Sequence, residues 1–342
     1  MSKFFTSKKL LYWDCLADFL RGNQIVPVTW EMDLTLRCNQ NCENCVAGKK
    51  GGASLSPGKA LKLVQDVRDL GGKGLILTGG GDPSLNPEGI DAVAGIMPML
   101  LFTNGQQLDE AMMRRVLPKL EGIRISLDAC DEGSAARWRG IKPEAWKKMI
   151  ENTAMLVQMR NELGCDTVIG TGYLTNAERN RGIPEFARIS TECGVDYAQC
   201  RPMHMPPEKF GQDMIWGVEK FVRIFRDAKA KFPVLTQSEQ KYSLMVAGEA
   251  ERTYETCYMG HWASTIGADG KLYFCCHTRY LPEFCVGDLN TQSLREILQS
   301  GKIQEIQDTM NFDMCPELFR GDAINRVLDE IIGDPVTHKE FL

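Results

Sequence analysis

The sequence predicts an α/β fold: a partial (β/α)6 TIM-like barrel followed by a small cysteine-rich α+β hairpin domain. Two observations carry this. From Trp30 to Ala230, short strand-like apolar runs alternate with segments whose apolar residues recur at helical spacing. Beyond Pro233 the pattern changes to closely placed cysteines around hairpin turns. Repeated strand–helix alternation implies parallel strands covered by helices. Six such units fall short of a closed eight-fold barrel.

The elements follow in order. Leu10, Trp13, Leu16 and Leu20 share a helical face near the N-terminus, which predicts an amphipathic docking helix and no secretory signal. Trp30 to Leu36 reads as the first strand. Ala60, Leu61, Leu63, Val64, Val67 and Leu70 give a helix over 57–70, and Gly74 to Thr78 a short buried strand. Ala92 to Ile96 belongs to a helix, 97–103 to a strand, 109–120 to a helix and 123–127 to a strand. A long helix starts at Pro143 and runs to Leu163, with proline in its favoured first position. A strand over 167–174, a helix over 183–193, a strand over 197–201 and a helix over 216–230 complete the series. The expected units are 1–28 (N-terminal helix), 29–235 (barrel) and 236–342 (cysteine-rich domain).

Composition narrows the function. Apolar residues at 43% and charged residues at 25% describe an ordinary globular chain. No uninterrupted apolar stretch approaches the roughly 18 residues of a membrane span. The net charge is −5 and basic runs are no longer than pairs such as Lys8-Lys9 or Arg114-Arg115, so nothing favours nucleic-acid binding. Thirteen cysteines without an export signal point to metal ligation in a reducing cytoplasm, and the chain is expected to be cytoplasmic. Cys15, Cys165, Cys193 and Cys200 read as small buried apolar residues.

The chemistry sits in motifs at the C-terminal ends of predicted strands, where such barrels place their sites. Cys38, Cys42 and Cys45 gather three thiols within eight residues and supply no fourth ligand nearby. Closed zinc sites want four ligands, usually as two pairs, whereas three soft thiolates suit an iron–sulfur cluster with one open iron. Leu77-Thr-Gly-Gly-Gly-Asp-Pro83 ends the second strand. Its glycines allow a backbone to approach a ligand closely, although a tight βα turn explains them equally well. Strands three and four end in Thr103-Asn104-Gly105 and Ser126-Leu-Asp128. Strand five carries Gly170 and Gly172, and strand six ends at Arg201, suited to clamping a carboxylate or to a plain surface ion pair. His204 reads as a loop residue, and no catalytic acid or base stands out.

In the C-terminal region Cys257 precedes a hairpin turning at Asp269-Gly270, which brings Cys275 back towards it. Cys276, Cys285 and Cys315 follow. Adjacent strand residues point to opposite faces, so Cys275 and Cys276 are not expected to share one site. The same thiols, with His277, would also suit zinc.

The three-cysteine motif, glycine loop and strand tips together resemble the radical S-adenosylmethionine (radical SAM) superfamily, and Cys257 with Gly270-x4-Cys275 resembles the start of a SPASM or twitch domain. The resemblance implies an enzyme. Its core [4Fe–4S] cluster would be held by Cys38, Cys42 and Cys45, and S-adenosylmethionine bound at the open iron would be cleaved reductively to a 5′-deoxyadenosyl radical that abstracts hydrogen. It implies that Gly79, Gly80, Gly81 and Asp82 receive the cofactor's ammonium. Thr103, Asn104, Ser126, Asp128, Gly170 and Arg201 would line the rest of its pocket, with strand-end capping as the plainer reading of Ser126 and Asp128. It further implies one auxiliary [4Fe–4S] cluster on Cys257, Cys275, Cys285 and Cys315, with Cys276 in reserve. A flavodoxin- or ferredoxin-type low-potential reductant would be the electron partner. Asn44 stands where the family usually has an aromatic, Asp82 replaces its usual Glu, and Leu318 and Phe319 stand where a further cysteine is common. The expected substrate is a small molecule or nucleoside that is oxidised or rearranged; the alternatives are a modified base in DNA or RNA and a peptide.

Overall fold

The computed structural model describes residues 8–45, 51–203, 210–312 and 315–333. His204 lies outside them. A 3-10 turn at Lys8–Leu11 and helix α1 (Trp13–Leu20) precede the alternating region. That region runs β1 (Thr29–Asp33), α2 (Pro57–Leu70), β2 (Gly74–Thr78), α3 (Pro87–Val93), β3 (Met99–Thr103), α4 (Glu110–Val116) and β4 (Gly122–Ser126). It continues through α5 (Glu132–Arg139), α6 (Pro143–Leu163), β5 (Val168–Thr175), α7 (Ile183–Glu192), β6 (Tyr197–Pro202), α8 (Phe210–Lys231) and β7 (Leu235–Gln237). The remainder comprises α9 (Glu239–Ala247), α10 (Met259–Trp262), β8 (Ala263–Ile266), β9 (Lys271–Tyr273), β10 (Cys285–Asp288), α11 (Leu294–Gln299), α12 (Lys302–Thr309) and α13 (Asp322–Gly333).

The ten strands among the described residues form one open sheet in the order β10-β9-β8-β1-β2-β3-β4-β5-β6-β7. β1 to β7 are parallel, and β8 joins in parallel on the free side of β1, pairing Thr29 with Ala263 and Met32 with Ile266. The antiparallel β8-β9-β10 meander then extends the barrel sheet. The cysteine-rich region is thus built onto the barrel's first strand.

Local rules account for most element ends. Ser56 caps α2 through Lys59 N, Pro57 occupies its first turn, and Gly71 closes it at φ 108°. Asp131 and Ser134 form a reciprocal capping box on α5, and Gly140 ends that helix in the left-handed region at φ 62°. β2 is buried on both faces through Leu75, Ile76 and Leu77, as a central parallel strand requires.

Three expectations change. β1 stops at Asp33 instead of running to Leu36, because residues 34–36 pair with the 53–55 segment, Leu36 N–H on Ala53 O at 2.8 Å and Leu55 N–H on Leu34 O at 3.0 Å. The N-terminal helix docks through Leu16 and through Phe19 against Tyr258, His261 and Trp262, while Trp13 and Leu20 stay in solvent at 68% and 45% exposure. Cys275 and Cys276 lie beyond the end of β9, in a turn, so strand alternation does not separate them. No helix among the described residues is long and apolar enough to cross a membrane.

β1 itself is two-faced. Trp30 and Met32 are fully buried, and Trp30 lies against Val67 of α2 at Gly72. Glu31 and Asp33, also buried, alternate with them onto the inner face. Glu31 pairs with Arg320, and Arg279 Nη1 meets Asp33 Oδ1 at 3.1 Å. Tyr280 donates to Asp33 Oδ2 at 2.7 Å. Burial would raise the Glu31 pKa, but Arg320, then Arg279, Lys9 and His277, hold it below the usual carboxylate range. A depressed folded pKa means that the stabilisation is present above the unfolded value, about 4.3, and is lost as pH falls through the folded one. Glu31→Gln should therefore flatten the acid limb of the stability profile and cost about 1–3 kcal/mol at pH 7 in urea melts. That is below the usual penalty for an orphaned buried partner because Arg320 reaches solvent.

Candidate functional site

The glycine loop lies directly against the chain that enters the cysteine loop. Gly81 N–H donates to Thr35 O at 2.9 Å and Asp82 N–H to Arg37 O at 2.8 Å. Gly80 N–H donates to the Asp33 carboxylate. A Cβ on Gly81 would sit 1.9 Å from Arg37 O, and one on Gly79 would sit 1.6 Å from Gly81 O. Both contacts are with backbone, so only glycine fits.

The cysteine loop is pinned from its other side by the end of α5. Asn41 N–H bonds Arg139 O at 2.9 Å, Glu43 N–H bonds Trp138 O at 3.0 Å, and Arg139 Nε donates to Gln40 Oε1 at 2.7 Å. Asn104 Nδ2 adds a bond to Asn39 Oδ1 at 2.8 Å. Cys38 and Cys42 are half-buried and Cys45 is exposed. None of the thirteen cysteines forms a disulfide. No three His, Cys, Asp or Glu side chains among the described residues converge closely enough to hold a metal ion as they stand. The donor set nevertheless fits a [4Fe–4S] cluster: three soft thiolates on one backbone-anchored loop at a strand's C-terminal end.

The residues expected around the cofactor divide into two groups. Asp82, Thr103, Asn104 and Asp128 are engaged within the protein. Asp82 Oδ1 accepts from Ser84 N at 3.0 Å, Ser84 Oγ at 2.6 Å and Thr103 Oγ1 at 2.7 Å, and Asp82 Oδ2 accepts from Asn104 N at 2.6 Å. It caps the following 3-10 turn and ties the glycine loop to β3. Asp128 adopts φ 47°, accepts from Leu174 N at 2.9 Å and pairs with Arg139 at 3.0 Å. Asp131, not Asp128, caps α5. Gly170 is covered by the Tyr197 ring, 2.1 Å from where a Cβ would lie.

Gly79, Gly80, Ser126 and Arg201 are differently placed. Ser126 sits half-buried at the end of β4, paired in register with Gly172. Arg201, on β6, leans over Gly172 beside Arg124 of β4.

The C-terminal thiols form a linked group. Cys257, Cys275 and Cys315 are buried, and Cys276 shares a small cavity with Cys275, Glu31, Met259, Phe319 and Arg320. Cys275 hydrogen-bonds Cys276, which feels Cys315, which in turn feels Cys257. Burial pushes the Cys257 thiol up to about 11, opposed by hydrogen bonds from Met259 and Asn325. Such thiols ionise readily only against a cation. Cys285 stands apart at the head of β10, its thiol 3.6 Å from Gly287 O amid Lys271, Asp269 and Asp288.

Arg139, Gln40, Glu31, Asp33, Arg279, Arg320, Arg124 and Lys241 escaped the sequence reading. The available signal was a charged residue inside an otherwise apolar central strand, as in Trp30-Glu-Met-Asp33 and Ile123-Arg-Ile125.

Gly81→Ala should destabilise the protein by about 1–3 kcal/mol or more in chemical denaturation, because the clash is with backbone. Gly58→Ala, in open space at the start of α2, should shift stability by under about 1 kcal/mol, towards greater stability.

Comparison with known proteins agrees with this geometry. Residues 32–158 match the Radical SAM superfamily, and residues 257–317 match SPASM, an iron-sulfur cluster-binding domain. The structure resembles Streptococcus suis SuiB bound to the precursor peptide SuiA, with a TM-score of 0.67 and 13% identity over 87% of this chain and 71% of that one. It also resembles anSMEcpe with bound AdoMet, with a TM-score of 0.59 and 14% identity over 82% of this chain and 83% of that one. At those identities the likeness establishes the fold. A GTP 3′,8-cyclase from Synechococcus sp. (strain CC9902) is 32% identical over 182 residues, 48% of this chain and 52% of the cyclase. The matched region thus spans about half the length of that curated relative. The chain carries a radical SAM domain and, built onto the first strand of its partial barrel, a SPASM-type iron–sulfur domain.

Proposed function

We propose that the chain is a radical SAM enzyme with one core and one auxiliary [4Fe–4S] cluster, acting by hydrogen abstraction on a small-molecule or nucleoside substrate that is then oxidised or rearranged. The observation that carries the reading is the bonding of the glycine loop to residues 35–37 immediately before Cys38, which sets the glycine and cysteine motifs side by side. When bound, the core cluster with S-adenosylmethionine and one electron from a low-potential reductant supplies a 5′-deoxyadenosyl radical.

The protein's own part is to hold and shield. Cys38, Cys42 and Cys45 serve as the three ligands, and the Arg139–Gln40 and Asn104–Asn39 bonds fix the loop that presents them. The backbone at Gly79 and Gly80, with Ser126, forms the polar rim of the cofactor pocket. Asp82 and Asp128 act as positioning residues: each joins two strand ends that border the pocket. For the auxiliary cluster we propose Cys257, Cys275, Cys276 and Cys315, replacing Cys285 by Cys276 because Cys276 lines the same cavity as Cys275 whereas Cys285 stands at the head of β10. The resemblance to a GTP 3′,8-cyclase supports a nucleotide-like substrate. The likeness to SuiB, seen with a precursor peptide, favours a peptide as the second reading.

Anaerobic reconstitution should load about eight iron per chain, and dithionite with S-adenosylmethionine should yield 5′-deoxyadenosine. Cys276→Ala should hold about four iron and Cys285→Ala about eight. Loss of four iron from Cys285→Ala alone would restore Cys285 as the ligand. Absence of 5′-deoxyadenosine from fully loaded protein would refute the enzyme reading.

A further inference from the structure

Two arginines meet at Gly172 inside the barrel without an ion-pair partner, and a lysine lies close enough for their charge to act on it. Arg124 on β4 and Arg201 on β6 flank β5, where Gly172 leaves room for both: a Cβ there would lie 3.6 Å from Arg124 Nε and 3.7 Å from Arg201 Nη2. Both Nε atoms are sealed from solvent and make no hydrogen bond. Arg124 lies 3.7 Å above the Phe102 ring, which fixes the plane of its guanidinium. Lys241, from α9, lies close enough to Arg201 and Arg320 to feel their charge. Among the described residues none of the three forms an ion pair. The acids nearby are already engaged: Glu31 by Arg320, Asp128 by Arg139, and Asp322 by Arg326 and Tyr254. Burial, then Arg201, lowers Arg124 to about 9 and Lys241 to about 7.

Like charges buried together are costly unless an anion joins them. Guanidinium groups pair bidentately with phosphate and carboxylate oxygens, and a lysine adds a point charge. We propose that Arg124, Arg201 and Lys241 form the binding site for an oxyanion group, phosphate or carboxylate, carried by the substrate. Arg320 lies close enough to Arg201 to lower its pKa by charge repulsion. Arg201 thereby moves from the cofactor's expected contacts to the substrate's. This inference rests on reading the barrel interior as a substrate chamber.

The test is calorimetric titration of the reconstituted full chain with inorganic phosphate and with malonate, at ionic strength fixed by potassium chloride, with and without saturating S-adenosylmethionine. Binding of either probe is expected to persist beside the cofactor. It should weaken at least about tenfold in Arg124→Gln, Arg201→Gln and Lys241→Gln, each read only where the melting profile and iron content match wild type. Preference for phosphate assigns a phosphorylated substrate, and preference for malonate a carboxylated one. Affinity no greater than for chloride, affinity unchanged in the variants, or competition by S-adenosylmethionine would each overturn the proposal. Formation of 5′-deoxyadenosine by wild type, measured separately, reports on the enzyme reading and is independent of these outcomes.

Discussion

Two carboxylates on one buried strand hold the molecule's functional parts in relation. Glu31 and Asp33 occupy the inner face of β1, and their partners come from nearly the far end of the chain: Arg320 for Glu31, Arg279 and Tyr280 for Asp33. Asp33 also receives the amide of Gly80, so a single side chain touches the glycine loop, the strand leading into the cysteine loop and the auxiliary region. Buried ion pairs contribute little net stability over an apolar replacement, since desolvation offsets the attraction. What these pairs supply is placement. Removing either side would leave a buried charge, which penalises any arrangement in which the two regions part.

The continuous sheet follows the same logic. β8 completes the free side of β1 by main-chain bonds, so the auxiliary cysteines are carried on an extension of the barrel and not on a separate body. Arg279 and Tyr280 leave that extension in a turn where Tyr280 takes φ 65°, aiming both side chains back at Asp33. Arg279 stays charged there: burial opposes its ionisation, but Asp33, Cys276 and Glu31 raise its pKa beyond the ordinary guanidinium range. The two cysteine-bearing regions therefore share one continuous sheet.

Much of the fold was legible because it rests on local rules. Pro57 and Gly71 bracket α2, Pro143 and Gly164 bracket α6, and strands such as 74–78 read directly as short apolar runs. The cysteine and glycine motifs were equally visible, since their spacing is local. Long-range contacts were not. That Asp82 is saturated by Ser84, Thr103 and Asn104, that Tyr197 fills the space over Gly170, and that Cys276 faces the same cavity as Cys275 depend on side-chain meetings that no spacing encodes. The argument that strand alternation separates Cys275 from Cys276 assumed that β9 continued past Tyr273, whereas the chain turns there.

The central claim is that the loop of Cys38, Cys42 and Cys45 presents an iron to S-adenosylmethionine while the C-terminal thiols hold a second, separate cluster. Electron paramagnetic resonance of the dithionite-reduced protein tests it most directly, comparing Cys276→Ala with a variant carrying Cys38→Ala, Cys42→Ala and Cys45→Ala. The account predicts that each retains one reduced [4Fe–4S] signal and that S-adenosylmethionine shifts only that of Cys276→Ala. A signal in Cys276→Ala indifferent to S-adenosylmethionine, or a cofactor-induced shift surviving in the triple variant, would contradict it.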